Sequence, residues 1–421
     1  MKFRILLLLL AKLMKRANKK NLMFRKIAAS KNVIFELRTE DKKTVRHFIF
    51  NQGEFQTQPT SHHAPDFSIV FTDSRFGFSV LTSKDKQAFI NGILDKKIVI
   101  EGDFTLVIWF QILVSLLKKQ KTAVPTHLST IGFVGAGLIG APMIRSLIRN
   151  HFAVKVFDTN PLAMESVTPF GAIECKSLRE FADTGLVVVM VNNIKQVREV
   201  VFEICEKRLE KTTFNIVVMS TVSPDDIVRL QKDLIQNGFP YIRLMDAPVS
   251  GAPLNAEAGK LAIMAGGEKA DFERVKPVLE AMGETIFYLG ELGCGASMKL
   301  VNNILGLTSG LITVEALFLG IKKGLMPEQM IQVINTSSGQ NFLTRQWPLT
   351  VKLFEMVTEG EVYGAKDAIF KTGMKDLMTT KEWAASDGIE LRCLEDGINN
   401  LDYLSGGEFD TMLKAILGKS A

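Results

Sequence analysis

The spacing of apolar positions changes several times along this chain, and each change marks an element. Apolar and polar residues alternate over Asn32–Thr39 (N-V-I-F-E-L-R-T) and again over Thr44–Asn51 (T-V-R-H-F-I-F-N), which predicts two strands joined by a charged turn. Asp66–Asp73 predicts a third strand, followed by helical spacing over about 74–95 and a strand at Lys97–Ile100. From Phe104 to Leu117 nearly every position is apolar, so a helix there must be enclosed or must line something apolar. Lys118–Thr130 is polar, basic and broken by Pro125, and reads as a linker. Beyond it, short apolar runs at Ile131–Val134, Ala153–Phe157, Leu186–Val191 and Asn215–Met219 alternate with helical segments, as in a parallel sheet with crossover helices. Gly293–Lys323 predicts one long helix, apolar at helical spacing from Leu300 through Leu319.

The first residues follow a different pattern. Ile5–Ala11 is apolar and is followed at once by Lys12, Lys15, Arg16, Lys19 and Lys20. Seven apolar residues cannot span a bilayer, which needs about 20. Lys2 and Arg4 before the run suggest a signal peptide, but basic residues crowd its far side and no small-x-small cleavage site follows. A basic amphipathic helix is expected instead. It is either docked on its own domain or set on an anionic membrane surface, a peripheral contact through residues 1–20.

Charge and composition narrow the classes. The 421 residues carry a net charge of +6, but residues 1–30 hold nine Lys or Arg and no acid, so the remainder is net negative. The excess is a local basic arm, which argues against nucleic acid as a partner. The four cysteines, Cys175, Cys205, Cys294 and Cys393, form no C-x-x-C pair, so neither a disulfide framework nor a cysteine zinc site is expected, and the protein is placed in the reducing cytoplasm. All five histidines lie at or before His151. His47, His62 and His63 are read as strand and loop residues, and no metal site is expected.

The strongest local signal follows Ile131–Val134. Gly135-Ala136-Gly137-Leu138-Ile139-Gly140 opens a helix, and the next strand ends in Asp158, 18 residues after Gly140. Strand, glycine turn, helix, strand and terminal acid in that order form a dinucleotide-binding Rossmann fingerprint. Gly135 permits the tight turn, Gly137 lets backbone approach a pyrophosphate, and Gly140 lets helix and strand pack closely. The backbone of Leu138 and Ile139 leads into the helix N-terminus, which favours phosphate. Asp158 is placed to bond ribose hydroxyls and would repel a 2′-phosphate, so NAD is expected ahead of NADP. Ser220-Thr221-Val222-Ser223 follows another strand, where hydroxyls such as that of Thr221 would face the cofactor crevice.

Four motifs in order, I-G-F-V-G-A-G-L-I-G (131–140), D-A-P-V-S-G (246–251), G-C-G-A-S-M-K-L-V-N-N (293–303) and M-K-D-L (374–377), resemble the β-hydroxyacid dehydrogenase family, of which 3-hydroxyisobutyrate dehydrogenase is the familiar member. The resemblance covers residues 130–420 and implies NAD-dependent oxidation of a short 3-hydroxy carboxylic acid to a semialdehyde or keto acid. It implies Lys299 as acid/base, Asn303 four residues on as the group orienting the substrate, and Ser250 and Gly251 as the carboxylate loop. Lys375 is implied beside the nicotinamide, with Asp376 as local support. It also implies a homodimer or tetramer built on the helical domain. An earlier stretch, residues 25–119 with A-P-D-F-S-I-V-F and K-I-V-I-E-G-D-F-T-L, resembles a sterol-carrier-type domain, which implies a lipid or acyl ligand.

The fold expected is therefore multidomain: a basic segment (1–24), a small α+β sterol-carrier-like domain (25–119), a linker (120–129), an α/β Rossmann domain (130–292) and an all-helical domain (293–421). Three departures from the family pattern leave the substrate open. Ala252-Pro253 follows D-A-P-V-S-G where another glycine is usual. Val191-Asn192-Asn193 resembles the branch acting on four-carbon sugar acids such as threonate. Ala368 stands where an aromatic residue is common. A glyoxylate or semialdehyde reductase is a further reading, though Asp158-Thr159 replaces the Asn-Arg of the usual NADPH-dependent forms. A lipid-binding, NAD-sensing protein without turnover is the rival from another class.

Overall fold

In the computed structural model, residues 2–60, 64–83, 88–117, 128, 130–208, 211–359, 365–405 and 407–419 are described. His62, His63 and most of the linker expected over Lys118–Thr130 lie outside them.

Alternation along β1 (Val33–Thr39) turns Val33, Phe35 and Leu37 into the core and Glu36 and Arg38 to the other face. With β2 (Val45–Asn51), β3 (Glu54–Gln58), β4 (Phe67–Phe71) and β5 (Ile98–Gly102) it forms a five-stranded sheet in the order β3-β2-β1-β4-β5. Only β1 and β4 run parallel. The polar face is knit by Arg38, whose Nε donates to Glu36 at 2.9 Å and whose Nη2 donates to Glu101 at 2.7 Å, with His47 Nε2 3.2 Å from Glu36. Phe35, Phe48, Phe50, Phe67, Trp109 and Phe110 fill the layer between the apolar face and the covering helices, with ring centroids as close as 4.6 Å. The helical segment expected over 74–95 is two helices, Ser74–Thr82 and Ala88–Leu94.

The amino-terminal helix, Lys2–Lys20, docks on this domain. Phe3, Leu7, Ala11 and Met14 recur at helical spacing and are all buried, and Phe3 meets Phe71 edge-on at 5.4 Å. The sheet domain is also tied together internally and to the Rossmann half. Trp109 Nε1 donates to the Ile27 carbonyl at 3.1 Å, and Ser30 Oγ donates to the Pro169 carbonyl at 2.9 Å. One hydrophobic core then runs from Phe3 to Met282.

The second sheet contains β6 (Thr130–Val134), β7 (Ala153–Phe157), β8 (Ile173–Glu174), β9 (Leu186–Val189), β10 (Phe214–Val218), β11 (Ile242–Asp246), β12 (Val249–Ser250), β13 (Leu261–Gly266) and β14 (Gly283–Gly290). Its order is β12-β13-β11-β10-β9-β6-β7-β8, with β14 pairing β13. From β8 to β11 all neighbours are parallel, and strand order reverses between β6 and β9. That reversal is the switch point where open α/β sheets take ligands. Val187, Val188 and Val189 are fully buried, as strands covered on both faces require.

Cys294–Lys322 leaves the sheet as a single 29-residue helix. By length and composition alone it could cross a membrane, yet Leu300, Leu311, Val314 and Leu317 bury one side of it in the fold. Helices Pro327–Asn335, Trp347–Glu359, Ala365–Ser386, Arg392–Ser405 and Glu408–Ile416 gather around it, over two small cores.

Candidate functional site

The glycine loop sits at the switch point, and the environments of its three glycines differ. Gly135 has φ +97°, and a Cβ there would lie 2.1 Å from the Met190 carbonyl oxygen, in the loop after β9. At Gly140 a Cβ would meet the Gly135 carbonyl oxygen at 2.0 Å. Folding thus accounts for both glycines. A Cβ at Gly137 would meet nothing within 4 Å. The protein has no internal need for that glycine, which leaves bare backbone facing outward beside Leu138, itself half exposed. This fits a dinucleotide whose pyrophosphate approaches the main chain.

Asp158, at the end of β7, accepts hydrogen bonds from Ala136 N at 2.6 Å and Asn160 N at 2.8 Å. An ionised carboxylate has about four acceptor positions, so capacity for ribose hydroxyls remains. Ser220 is committed elsewhere: its Oγ accepts from Val191 N at 2.8 Å, joining the loops after β9 and β10. Asn193 is likewise committed, since its side chain caps helix Ile194–Lys207 through Gln196 N at 3.0 Å. Asn193 therefore has a helix-capping reason that says nothing about substrate.

A second cluster stands over the same sheet edge. Lys375, on helix Ala365–Ser386, donates from Nζ to the Thr221 carbonyl at 2.9 Å and the Asn192 carbonyl at 3.4 Å, which ties that helix to the ends of β10 and β9. Its neighbour Asp376 is buried, with Oδ1 2.9 Å from Lys375 Nζ and Oδ2 accepting from Asn303 Nδ2 at 2.6 Å. Asn303 is thereby fixed on helix Cys294–Lys322, one turn beyond Lys299.

Lys299 is half buried, and among the described residues its ammonium has no hydrogen-bond or ion-pair partner. Burial pushes its pKa below the ordinary lysine range, the nearby Asp376 carboxylate pulls it back up, and the Lys375 charge adds to the lowering. A partly desolvated, unpaired lysine gives up its proton more readily than a solvated one, which suits it to proton exchange with a substrate.

Two acids that sequence reasoning assigned no role hold this arrangement together. Asp246, at the end of β11, is buried and accepts from Gly293 N at 2.8 Å and Ala296 N at 2.6 Å. It anchors the start of helix Cys294–Lys322 to the strand that leads into Ser250. Burial raises its pKa while those backbone N–H groups pull it down. Its partners lie 47 and 50 residues away, so no local pattern could reveal the contact.

Glu257 is the other acid. It ends helix Ala252–Glu257, just after the Ser250–Gly251 loop, and pairs with both Arg145 (Nε at 2.8 Å) and Arg149 on the helix that follows the glycine loop. Three largely buried charges thus join the glycine-loop helix to the loop after β12. Pro253 lies in the first turn of Ala252–Glu257, where a helix needs no N–H. Ser250 is half buried, and its hydroxyl has no partner among the described residues.

The chain therefore brings together Gly135–Gly140 with Asp158, and separately Lys299, Asn303, Lys375 and Thr221. Residues 130–290 match the model of the NAD-binding domain of 6-phosphogluconate dehydrogenase, and residues 293–395 that of the NAD-binding domain of NADP-dependent 3-hydroxyisobutyrate dehydrogenase. The chain is 34% identical over 241 residues to 2-(hydroxymethyl)glutarate dehydrogenase of Eubacterium barkeri, covering 56% of this chain and 76% of that protein. It is 34% identical over 228 residues to 3-hydroxyisobutyrate dehydrogenase of Pseudomonas aeruginosa, covering 52% and 75%. The structure of Mycobacterium tuberculosis 3-hydroxyisobutyrate dehydrogenase with L-serine superposes with a TM-score of 0.57 at 24% identity, covering 69% of this chain and 99% of that one. These matches and the paired sites at the sheet edge show that the chain belongs to the β-hydroxyacid dehydrogenase family, whose enzymes depend on NAD(P).

Proposed function

We propose that this protein oxidises a short 3-hydroxy carboxylic acid to the semialdehyde or keto acid with NAD. The observation that carries the reading is the unpaired, partly desolvated Lys299 one helical turn from an Asn303 locked by Asp376. NAD, when bound, supplies the hydride acceptor. Gly137 and the start of helix Gly140–Arg149 would receive its phosphates, Thr221 and Lys375 would border its nicotinamide end, and Asp158 would favour an unphosphorylated ribose. Asn303 holds the substrate hydroxyl, Lys299 Nζ takes its proton, and Ser250 Oγ with the Gly251 N–H receives the carboxylate.

The helical domain supports self-association as a dimer or tetramer. Met298, Leu305, Ile312 and Leu319 recur every seventh residue on the catalytic helix and are 39, 67, 64 and 61% exposed. That seam is shaped for a second helix. The sterol-carrier reading of the first domain rests on its strand order and on sequence stretches such as A-P-D-F-S-I-V-F and K-I-V-I-E-G-D-F-T-L, and an acyl ligand there must displace part of the aromatic layer. Lipid extraction and mass spectrometry of the purified protein test that part directly.

The reaction is tested by supplying NAD or NADP with a panel of hydroxyacids, from 3-hydroxyisobutyrate and threonate to longer acyl chains. NADH formation with the short 3-hydroxyacids is expected, and Lys299→Ala lowers it by about 10²–10⁴-fold while NAD binding persists. Silence across the panel with NAD binding intact would favour the NAD-sensing reading.

A further inference from the structure

The amino-terminal helix uses only one face inside the fold. Phe3, Leu7, Ala11 and Met14 are buried, whereas Ile5, Leu8, Leu9 and Leu13 remain 48, 46, 52 and 49% exposed. Large aliphatic residues scattered singly over a surface need no explanation, but four within nine residues of one helix form a patch. The same helix carries Lys2, Arg4, Lys12, Lys15, Arg16, Lys19 and Lys20 and no acidic residue. At 100° per residue, Ile5, Leu9 and Leu13 share the side opposite Leu7 with Lys2, Lys12, Arg16 and Lys20. The outer face is therefore an apolar band with Lys2 before it, Lys12 within it and Arg16 and Lys20 beyond it. Arg46 of β2 stands close to Arg4 and adds a further positive charge.

We infer that this face seats on an anionic lipid bilayer, with Ile5, Leu8, Leu9 and Leu13 entering the acyl boundary and the lysines and arginines reaching the headgroup phosphates. The charge pattern selects this occupant. A protein partner fitted to seven cations would have to supply matching acids at fixed positions. A bilayer offers mobile anions at every position, and lysine stems extend along apolar surface while keeping their ammonium groups wet. The inner face stays docked on Phe71 and its neighbours, so attachment needs no unfolding of the domain and is independent of the hydride-transfer reading.

Co-sedimentation of the full chain with vesicles tests this. Binding is expected to phosphatidylcholine vesicles containing phosphatidylglycerol and not to phosphatidylcholine alone, and it should weaken as salt is raised. The substitutions Leu9→Asp with Leu13→Asp lie on exposed positions and should lower the partition coefficient roughly tenfold or more. Reversing Lys12, Lys15 and Arg16 to Glu should lower it by about a hundredfold. Unchanged thermal unfolding and NAD binding establish that the variants keep their fold. Equal sedimentation with both vesicle compositions, sedimentation with neither, or full retention of binding by the leucine variant overturns the inference. So does a fall in oligomeric mass in the leucine variant, which would make a second copy of the chain the occupant.

Discussion

At the glycine loop, the groups that shape the site lie near one another in the chain: Ala136 and the Asp158 carboxylate it bonds are 22 residues apart. At the lysine cluster, Asn303 and Asp376 are separated by 73 residues, and Lys375 reaches Thr221 across 154. Both stand over the carboxyl ends of one sheet. The first is a turn whose shape follows mostly from local backbone requirements, with the Met190 carbonyl against Gly135 as its long-range contact. The second exists only once two helices have docked over that sheet. A local site should respond to substitution at the backbone it exposes, whereas an assembled one should respond at the contacts that hold its parts.

The largest effect expected on stability is at Gly135. Alanine there must hold φ near +97° and place a methyl 2.1 Å from the Met190 carbonyl, so Gly135→Ala should destabilise the fold by about 3 kcal/mol or more in denaturant unfolding. Asp246→Ala leaves the Gly293 and Ala296 N–H groups without their acceptor in a buried setting and should lower stability by about 1–3 kcal/mol. It should also lower kcat, because the start of the catalytic helix loses its anchor. The smallest effect on stability belongs to Gly137→Ala, where the methyl meets open space and the fold should change by less than about 0.5 kcal/mol. Its consequence should appear in KM for NAD, with kcat for bound substrate retained. If Gly135→Ala and Gly137→Ala proved equally destabilising, the division between glycines needed for folding and the glycine needed for ligand would be lost.

The contrast between the two sites also explains why some features are legible in the sequence and others are not. The glycine loop, the strands around it and Asp158 are legible because their spacing is local and repeats the sheet's own period. Lys299 and Asn303 are legible as a pair one helical turn apart, but the carboxylate fixing Asn303 is visible only as the neighbour of Lys375. The roles of Asp246 and of Glu257 with Arg145 and Arg149 are not legible, since their partners are far away in sequence. Strand β3 escapes the pattern because Glu54–Gln58 has a single apolar residue and owes its pairing to the Gln52-Gly53 turn, where both residues have positive φ. β13 and β14 escape it because L-A-I-M-A-G is apolar at nearly every position, and the exposed side of G-E-T-I-F-Y-L-G carries Phe287 and Leu289 where polar residues would mark it. In the amino-terminal helix, the unbroken apolar run Ile5–Ala11 does not say which face is inside, and burial of Phe3, Leu7, Ala11 and Met14 decides it.

The central claim is that Lys299 exchanges the substrate proton between a carboxylate and a second ammonium. It is tested most directly by the acid limb of kcat/KM for alcohol oxidation, measured in three proteins. Asp376 raises the pKa of Lys299 and Lys375 lowers it, while burial, the larger influence, is common to all three proteins. Asp376→Asn keeps an acceptor for Asn303 and removes the negative charge, so the limb should move to lower pH. Lys375→Gln removes the positive charge, so the limb should move to higher pH. Opposite displacements from the unsubstituted protein are the predicted result. A limb that stays in place in both variants, or that moves the same way in both, would show that another group carries the proton.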